Sequence, residues 1–374
     1  MRPGDPSAAS NDSRDRSEDR SSNQTPDHAA DPAGDATPAE PTHPAAAALP
    51  GLRALVVGDC LLDRHTRVQP DPALEDAVTT DPGGAAVVAL HLAALGVSTT
   101  ILTRWTADGA GSSVLRPALD AAGVEVLALP RSTPITLKRR VLRDGRVIAH
   151  KQQGAVEPCP HDDLFDRALG RAMGRDPNLV LACDFGLGLW SAKRLAEVER
   201  RAFARGAYLA GDVSGPQPTL LAMRRFDLIT PTDLELHADP EASDDPWRSA
   251  RAWVTQPKSD HRPRSAIVTL GAQGLVAARS GGTAVRLPSM AREAVDPTGA
   301  GDALLAAAAA AGALGLRFEE QARWAAAAAG VHVETPGNRA IDRAAFFERL
   351  VRTRPRPTFG PLRRNTQTGS AVAA

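Results

Sequence analysis

Residues 296–315 read DPTGAGDALLAAAAAAGALG. Three small residues, Gly299, Ala300 and Gly301, stand before Asp302, and a long alanine-rich helix begins there. Without bulky side chains, their backbone N–H groups can approach a ligand closely. At a helix start those groups lack partners and carry the positive end of the dipole, which makes an anion-binding site. Asp302 puts a carboxylate beside that anion. Such a placement is repulsive unless the carboxylate has a task. Removing a proton from a hydroxyl that attacks phosphorus is one that fits, with the amides stabilising the transferred phosphoryl group. The plainer alternative is a flexible turn, capped by an acidic residue, before a core helix.

The chain around this stretch alternates short apolar runs with helical patterns. LRALVVGDCLLD begins with a strand ending at Gly58, and AAVVALHLAALG has helical spacing with a glycine stop. STTILTRW, VEVLAL, NLVLACDFG, AYLAGDV, FDLITP and SAIVTLG read as further strands, with helices such as SAKRLAEVERRAFARG between them. Alternation over this length predicts an α/β fold, a mostly parallel sheet covered by helices. Ligands of such sheets sit at the carboxyl ends of the strands. Asp59, Asp63, Asp184, Asp212, Thr230, Glu235, Thr269 and Gly271 all follow predicted strands. One stretch breaks the rhythm. ITLKRRVLRDGRVIAHKQ has two strand-like runs around Asp144-Gly145, a hairpin signal. Its many charges place it outside the core, as a flap or small second sheet at about 136–152. A polar insertion follows Asp239, with one short helix near Trp247 to Val254.

Composition narrows the field. Lysine plus arginine and aspartate plus glutamate number 44 each, so no net field draws in nucleic acid or an anionic membrane. Cys60, Cys159 and Cys183 show no metal spacing and read as small buried hydrophobes, which fits a reducing cytoplasm. No apolar run is long enough to span a bilayer, and no secretory leader is expected. Residues 1–49 hold almost no large apolar side chains and are expected to be disordered, as is the basic-tinted segment 352–374. A folded body at 50–351 is left.

DPTGAGDA resembles the C-terminal signature of the PfkB (ribokinase-like) sugar kinases, and DPGGAAVVALHLAALG resembles their N-terminal glycine signature. VVGDCLLDR, PITLKRRV, ITPTDLE, VTLGAQG and WAAAAAGVHVETPGN follow in the family's order. The resemblance covers about Leu52 to Leu350. GDCLLDR and PITLKRRV look closest to the D-glycero-D-manno-heptose 7-phosphate kinase branch. That branch often carries a following adenylyltransferase domain, which is not expected in this sequence. The resemblance implies a three-layer sandwich with a small β lid, an ATP- and Mg2+-dependent sugar or sugar-phosphate kinase, and a homodimer paired through the lid.

It also implies roles. Asp302 matches the catalytic base and Gly299, Ala300 and Gly301 the anion hole. Asp63, Gly83, Gly84 and Asp184 match acceptor-side positions. Lys138 and Arg140 match lid positions able to meet a substrate phosphate. Thr269, Gly271, Gly274 and Ala326 match the nucleotide side. Glu235 matches the glutamate that organises Mg2+ through water, and Asp296 a position linked to K+ in some members. Plainer readings stand beside these: a solvated lid face for Lys138 and Arg140, a cap for Asp63, a tight turn for Thr269 with its glycines.

The sequence departs from the family at polar positions. Val87, Leu187, Thr232 and Ala326 stand where asparagine, lysine, asparagine and asparagine are usual, and Val213-Ser214 replaces Pro-Lys or Pro-Arg. Three functions follow: a kinase with altered acceptor recognition, a catalytically weak pseudokinase that binds nucleotide or sugar as a sensor or partner, and a ribokinase-fold enzyme for another hydroxymethyl or nucleoside-like acceptor.

Overall fold

On the first strand, Leu55 and Val57 belong to one apolar core and Val56 to another, and all three are buried. A strand covered on both sides needs a layer of helices on each. The computed structural model of the chain describes residues 43–68, 77–106, 109–143, 146–159, 162–214, 219, 222–223, 225–236, 245, 248–250, 263–281, 284–353 and 358–360.

The main sheet has ten strands. Seven are parallel: β1 (Arg53–Gly58), β4 (Ser98–Trp105), β5 (Glu125–Pro130), β8 (Leu179–Asp184), β9 (Tyr208–Val213), β10 (Leu228–Ile229) and β11 (Ser265–Thr269). An antiparallel edge adds β12 (Leu275–Arg279), β13 (Ala284–Leu287) and β14 (Thr358–Gly360). The spatial order is β14-β13-β12-β11-β10-β9-β8-β1-β4-β5. From β1 the chain winds outward to β4 and β5, then returns to β8 and winds the other way. The direction therefore reverses between β1 and β8, where a parallel sheet opens a crevice. Asp59 follows β1 and Asp184 ends β8, so both sit at that opening.

A second sheet grows from the same place. β2 (Cys60–Arg67) leaves β1 after a single residue and pairs with β3 (Ala77–Gly84) and β6 (Leu137–Arg143), and β6 with β7 (Arg146–Gln153). The expected hairpin is thus present as half of a four-stranded lid, although its turn at Asp144-Gly145 lies outside the described residues. Asp63 belongs to this lid and does not simply follow the first strand. Gly83 and Gly84, the pair in the glycine signature, are the buried end of β3.

Helices α1 (Ala85–Ala94) and α2 (Ala110–Ala121) cover one face of the main sheet, and α3 (Asp162–Met173) and α4 (Ala192–Ala204) the other. A short helix, α5 (Asp233–Leu236), follows β10. Helices α6 (Ala300–Ala313), α7 (Phe318–His332) and α8 (Arg343–Arg352) complete the first face. From Ala303 to Gly312 every residue of α6 is buried, so this helix is a core element whose small side chains let α7, α1 and β9 come close. At its far end a Cβ on Gly312 would run into the ring of Tyr208, whose hydroxyl donates to Gln321 Oε1 at 3.1 Å.

Two boundaries differ from the sequence expectation. Residues 44–51, partly assigned to the disordered extension, form a 3-10 helix with Leu49 fully buried. His43 caps it and packs 5.5 Å from Trp324, beside the rings of Phe346 and Phe347. Ala45 and Leu49 in the core and the ring contacts of His43 hold this segment in place. Likewise, 358–360 pairs with β13 although it falls in the expected tail. Residues 1–42 and 361–374, and most of the 237–262 insertion, lie outside the described residues; of the helix expected near Trp247 to Val254 only 248–250 are described, and these are helical. No helix among the described residues is long and apolar enough to cross a membrane.

Candidate active site

The start of α6 is held from both sides. Asp296 Oδ1 accepts the N–H of Thr298 at 3.0 Å and Oδ2 that of Gly337 at 3.0 Å. His332 Nε2 lies 2.6 Å from the Thr298 carbonyl. Gly299 then takes φ +82°, the left-handed region, and a Cβ there would run into Asn338 Oδ1. Only glycine fits. Gly301 differs: a Cβ added to it meets nothing within 4 Å, so the space over the first turn is open. The N–H groups at the head of a helix have no acceptor within it, although that of Ala300 donates to the Pro297 carbonyl at 3.3 Å.

Asp302 lies in this turn, partly exposed to the opening. Burial pushes its carboxyl up to about 7; Asp63 and Glu235 push the same way, while Lys138 and Arg140 oppose them. The structure thus gathers residues from the lid and from α5 around one carboxylate of α6. Asp63 itself is buried, ion-paired to Arg140 and hydrogen-bonded to Asn338 Nδ2 at 2.9 Å. Asn338 was missed in the sequence. Its only signal was the Pro-Gly-Asn turn after a helix, yet it touches both Asp63 and the Gly299 position.

Lys138 Nζ donates to Ser214 Oγ at 3.2 Å and sits 5.5 Å from the Phe185 ring centre. Burial lowers the pKa of its ammonium, with the Asp63 charge working against the shift. Ser214, one of the departures from the family, thereby gains a partner on the lid. Arg139 between them is exposed, so the two basic residues of the alternating strand do turn inward.

Glu235 forms a capping box with Thr232: its Oε2 accepts the Thr232 N–H at 2.8 Å, and Thr232 Oγ1 accepts the Glu235 N–H at 3.1 Å. The usual asparagine is therefore replaced by a residue that fixes the glutamate. Thr269 bridges to Thr232 across the strand ends. Asp212 Oδ1 is buried without a hydrogen-bond partner, and burial with Glu235 and Asp302 nearby drives that carboxyl well above its usual range. An orphaned acceptor among clustered carboxylates fits a divalent cation. Among the described residues no three His, Cys, Asp or Glu form a cage.

Other positions serve packing. A Cβ on Gly83 would strike Asp63, and one on Gly84 the Asp59 carbonyl at 2.5 Å, so both glycines permit close approach of lid and sheet. Asp184 accepts from the Gly186 N–H at 2.8 Å and from the Thr219 hydroxyl, and burial raises its pKa. Val87 and Leu187 are fully buried. The Leu187 position offers its carbonyl instead, to Arg104 Nη2 at 2.5 Å. Arg104, also missed, is 1% exposed and pairs with Asp59 at 2.8 Å, binding β4 to the switch point. Gly274 needs its positive φ, +93°, and lies against the backbone of Leu287 and Pro288. Gly271 also has positive φ, in an exposed turn. Ala326 is packed in the core on α7 rather than at an open surface. Cys60 and Cys183 are buried, with thiols raised by burial, while Cys159 is half-buried.

Residues 52–344 match the pfkB family of carbohydrate kinases. The chain belongs to this family. The bifunctional protein HldE of Azotobacter vinelandii is 32% identical over 298 residues, 77% of this chain and 61% of that protein. HldE of Nitrosococcus oceani is 29% identical over 313 residues, 80% of this chain and 64% of that protein. The chain therefore spans less than two thirds of the length of these relatives. Among solved structures, a carbohydrate kinase from Agrobacterium tumefaciens shares 23% identity, with a TM-score of 0.61 over 82% of this chain and 99% of that one. Phosphofructokinase-2 from Escherichia coli, in complex with potassium, has TM-score 0.63 at 21% identity, over 80% of this chain and 99% of that one. The sandwich with a mostly parallel sheet, expected from strand–helix alternation and from DPTGAGDA, is the fold of these pfkB members.

Proposed function

We propose that the chain transfers the γ-phosphoryl group of ATP to a hydroxyl of a sugar phosphate resembling a heptose 7-phosphate. One observation carries this reading. Asp302, poised at about 7 beside the open first turn of α6, faces Lys138 and Arg140 of the lid. A carboxylate so tuned takes a hydroxyl proton near neutral pH. The Gly299–Gly301 amides stabilise charge on the phosphoryl group in flight. Asp212 and Glu235 would hold Mg2+, which would supply neutralisation of phosphate charge. Lys138 meets the phosphate of the acceptor, and Arg140, held by Asp63, orients beside it. Lid closure excludes water from the reaction.

The test is phosphoryl transfer from ATP across heptose 7-phosphates, hexoses, hexose phosphates and nucleosides. A phosphorylated sugar is expected to be preferred. Lys138→Ala is expected to raise KM for it about 10- to 100-fold, and to leave kcat on an uncharged sugar nearly unchanged. Preference for a nucleoside or a free hexose would overturn the acceptor assignment. A second reading, a weak pseudokinase, draws on the engagement of both Asp63 oxygens and on the apolar Val87 and Leu187. ATP binding without turnover on any acceptor would select it.

We further propose a homodimer through the lid. Val78 on β3 and Ile148 on β7, the two edge strands, are 57% and 52% exposed. Light scattering is expected to give twice the chain mass, and Val78→Lys with Ile148→Lys the single mass.

A further inference from the structure

The resemblance places a monovalent cation at Asp296, and the residues around Asp296 do not fit one. Its side chain is fully buried, and each oxygen already accepts a backbone N–H, from Thr298 and Gly337. The charge of the carboxylate is met by Arg67, whose Nη2 lies 3.2 Å from Oδ2. A metal cation on the same oxygen would stand against the guanidinium. Two like charges in one partly buried space repel, and N–H groups offer a metal no lone pairs.

Arg67 is the last residue of β2. Its backbone is registered against Ala77 of β3 and Leu142 of β6, so the guanidinium moves with the lid. Asp296, by contrast, belongs to the loop that sets Thr298 and Gly299 before α6. Its N–H and that of Val295 both donate to the Val333 carbonyl, at 3.0 and 2.7 Å. The Arg67–Asp296 pair is therefore a charged link between the lid sheet and the turn that builds the anion hole.

We propose that Arg67 is a positioning residue that supplies, as a fixed side chain, the positive charge a monovalent cation would otherwise bring. The activity of this chain is then independent of K+, and the anion hole is shaped by the position of the lid. The activity half of the inference rests on the kinase reading, whereas the binding half does not.

The experiment compares the full chain with Arg67→Ala and Arg67→Lys in potassium chloride and in tetramethylammonium chloride at equal ionic strength. Thermal unfolding is read first because it needs no acceptor. The unaltered chain is expected to melt at the same temperature in both salts. Arg67→Ala is expected to melt lower and to recover in potassium alone, and Arg67→Lys to behave as the unaltered chain. Turnover is read second. The unaltered chain is expected to change less than about twofold between salts, while Arg67→Ala loses about tenfold and regains part of it with potassium. The proposal is overturned if potassium raises the melting temperature or the turnover of the unaltered chain several-fold beyond that margin. It is also overturned if Arg67→Ala matches the unaltered chain in both salts. Should Arg67→Ala fail to fold, the salt response of the unaltered chain and of Arg67→Lys decides. Absence of turnover on every acceptor would remove the kinase reading and leave the melting comparison intact.

Discussion

Asp302→Asn is expected to lose about 10²- to 10⁴-fold in kcat while binding ATP almost as before. The amide keeps the shape of the side chain and cannot accept the hydroxyl proton. Turnover of the unaltered protein should rise with pH through about 7, the value to which burial pushes this carboxyl. In the Asn variant that rise should be absent. The same shift has a stability consequence of definite sign. Folded Asp302 keeps its proton up to about pH 7, whereas an aspartate in an unfolded chain releases it near pH 3.9. Between those values the folded state binds more protons, so the Asp302 contribution to stability falls as pH rises. Asp302→Asn removes that loss. It should stabilise the protein by the order of 1–2 kcal/mol at pH 8, after allowance for the partial exposure of the site. The gain should shrink toward zero near pH 4. Denaturant titrations at both pH values, beside steady-state kinetics, separate the two effects. Unchanged kcat would remove Asp302 from the role of base.

Gly299→Ala should cost both stability and turnover. The left-handed conformation alone penalises a Cβ by about 1–2 kcal/mol. Contact with Asn338 Oδ1 adds to that, since Asn338 is 1% exposed and tied to Asp63. The turn would have to shift, misdirecting the amides at the head of α6. Loss of one such donor lowers kcat by about 10²- to 10³-fold. Gly301→Ala is the matched control, because its Cβ meets no protein atom within 4 Å. It should fold with the midpoint of the parent and affect only reaction at the opening. An equal unfolding midpoint for Gly299→Ala would show that Asn338 yields freely and that this turn is not rigid.

The parallel sheet was legible because its strands are short, apolar and buried on both faces, a pattern few other structures produce. The lid was legible only in half. ITLKRRVLRDGRVIAHKQ announces a hairpin through Asp-Gly, whereas β2 is hidden in DCLLDRHTR, directly after the strand that ends at Gly58. β3 contains Pro82, Gly83 and Gly84, residues that argue against a strand until the close approach to Asp63 is known. Asp302, Lys138, Arg140 and Glu235 were readable as chemistry, and the fold brings them together. Asn338 and Arg104 were not, because their meaning lies in partners 275 and 45 residues away, Asp63 and Asp59. The lost family lysine was read as a gap. Leu187 shows instead a buried side chain whose backbone answers to Arg104.

Helix α6 has an unusual mechanical character. Interlocking side chains normally index a helix against its neighbours, as teeth index a gear. From Ala306 to Ala311 this helix presents only methyl groups, a smooth shaft with nothing to engage. Its two ends are closely seated, Gly299 against Asn338 and Gly312 against the ring of Tyr208, and between them only Leu304 and Leu305 offer large apolar side chains to the core. The two stops stand about 20 Å apart along the axis. Asp302 rides three residues from the nearer one. The position of the proposed base along the cleft is thus a property of the whole rod and its bearings.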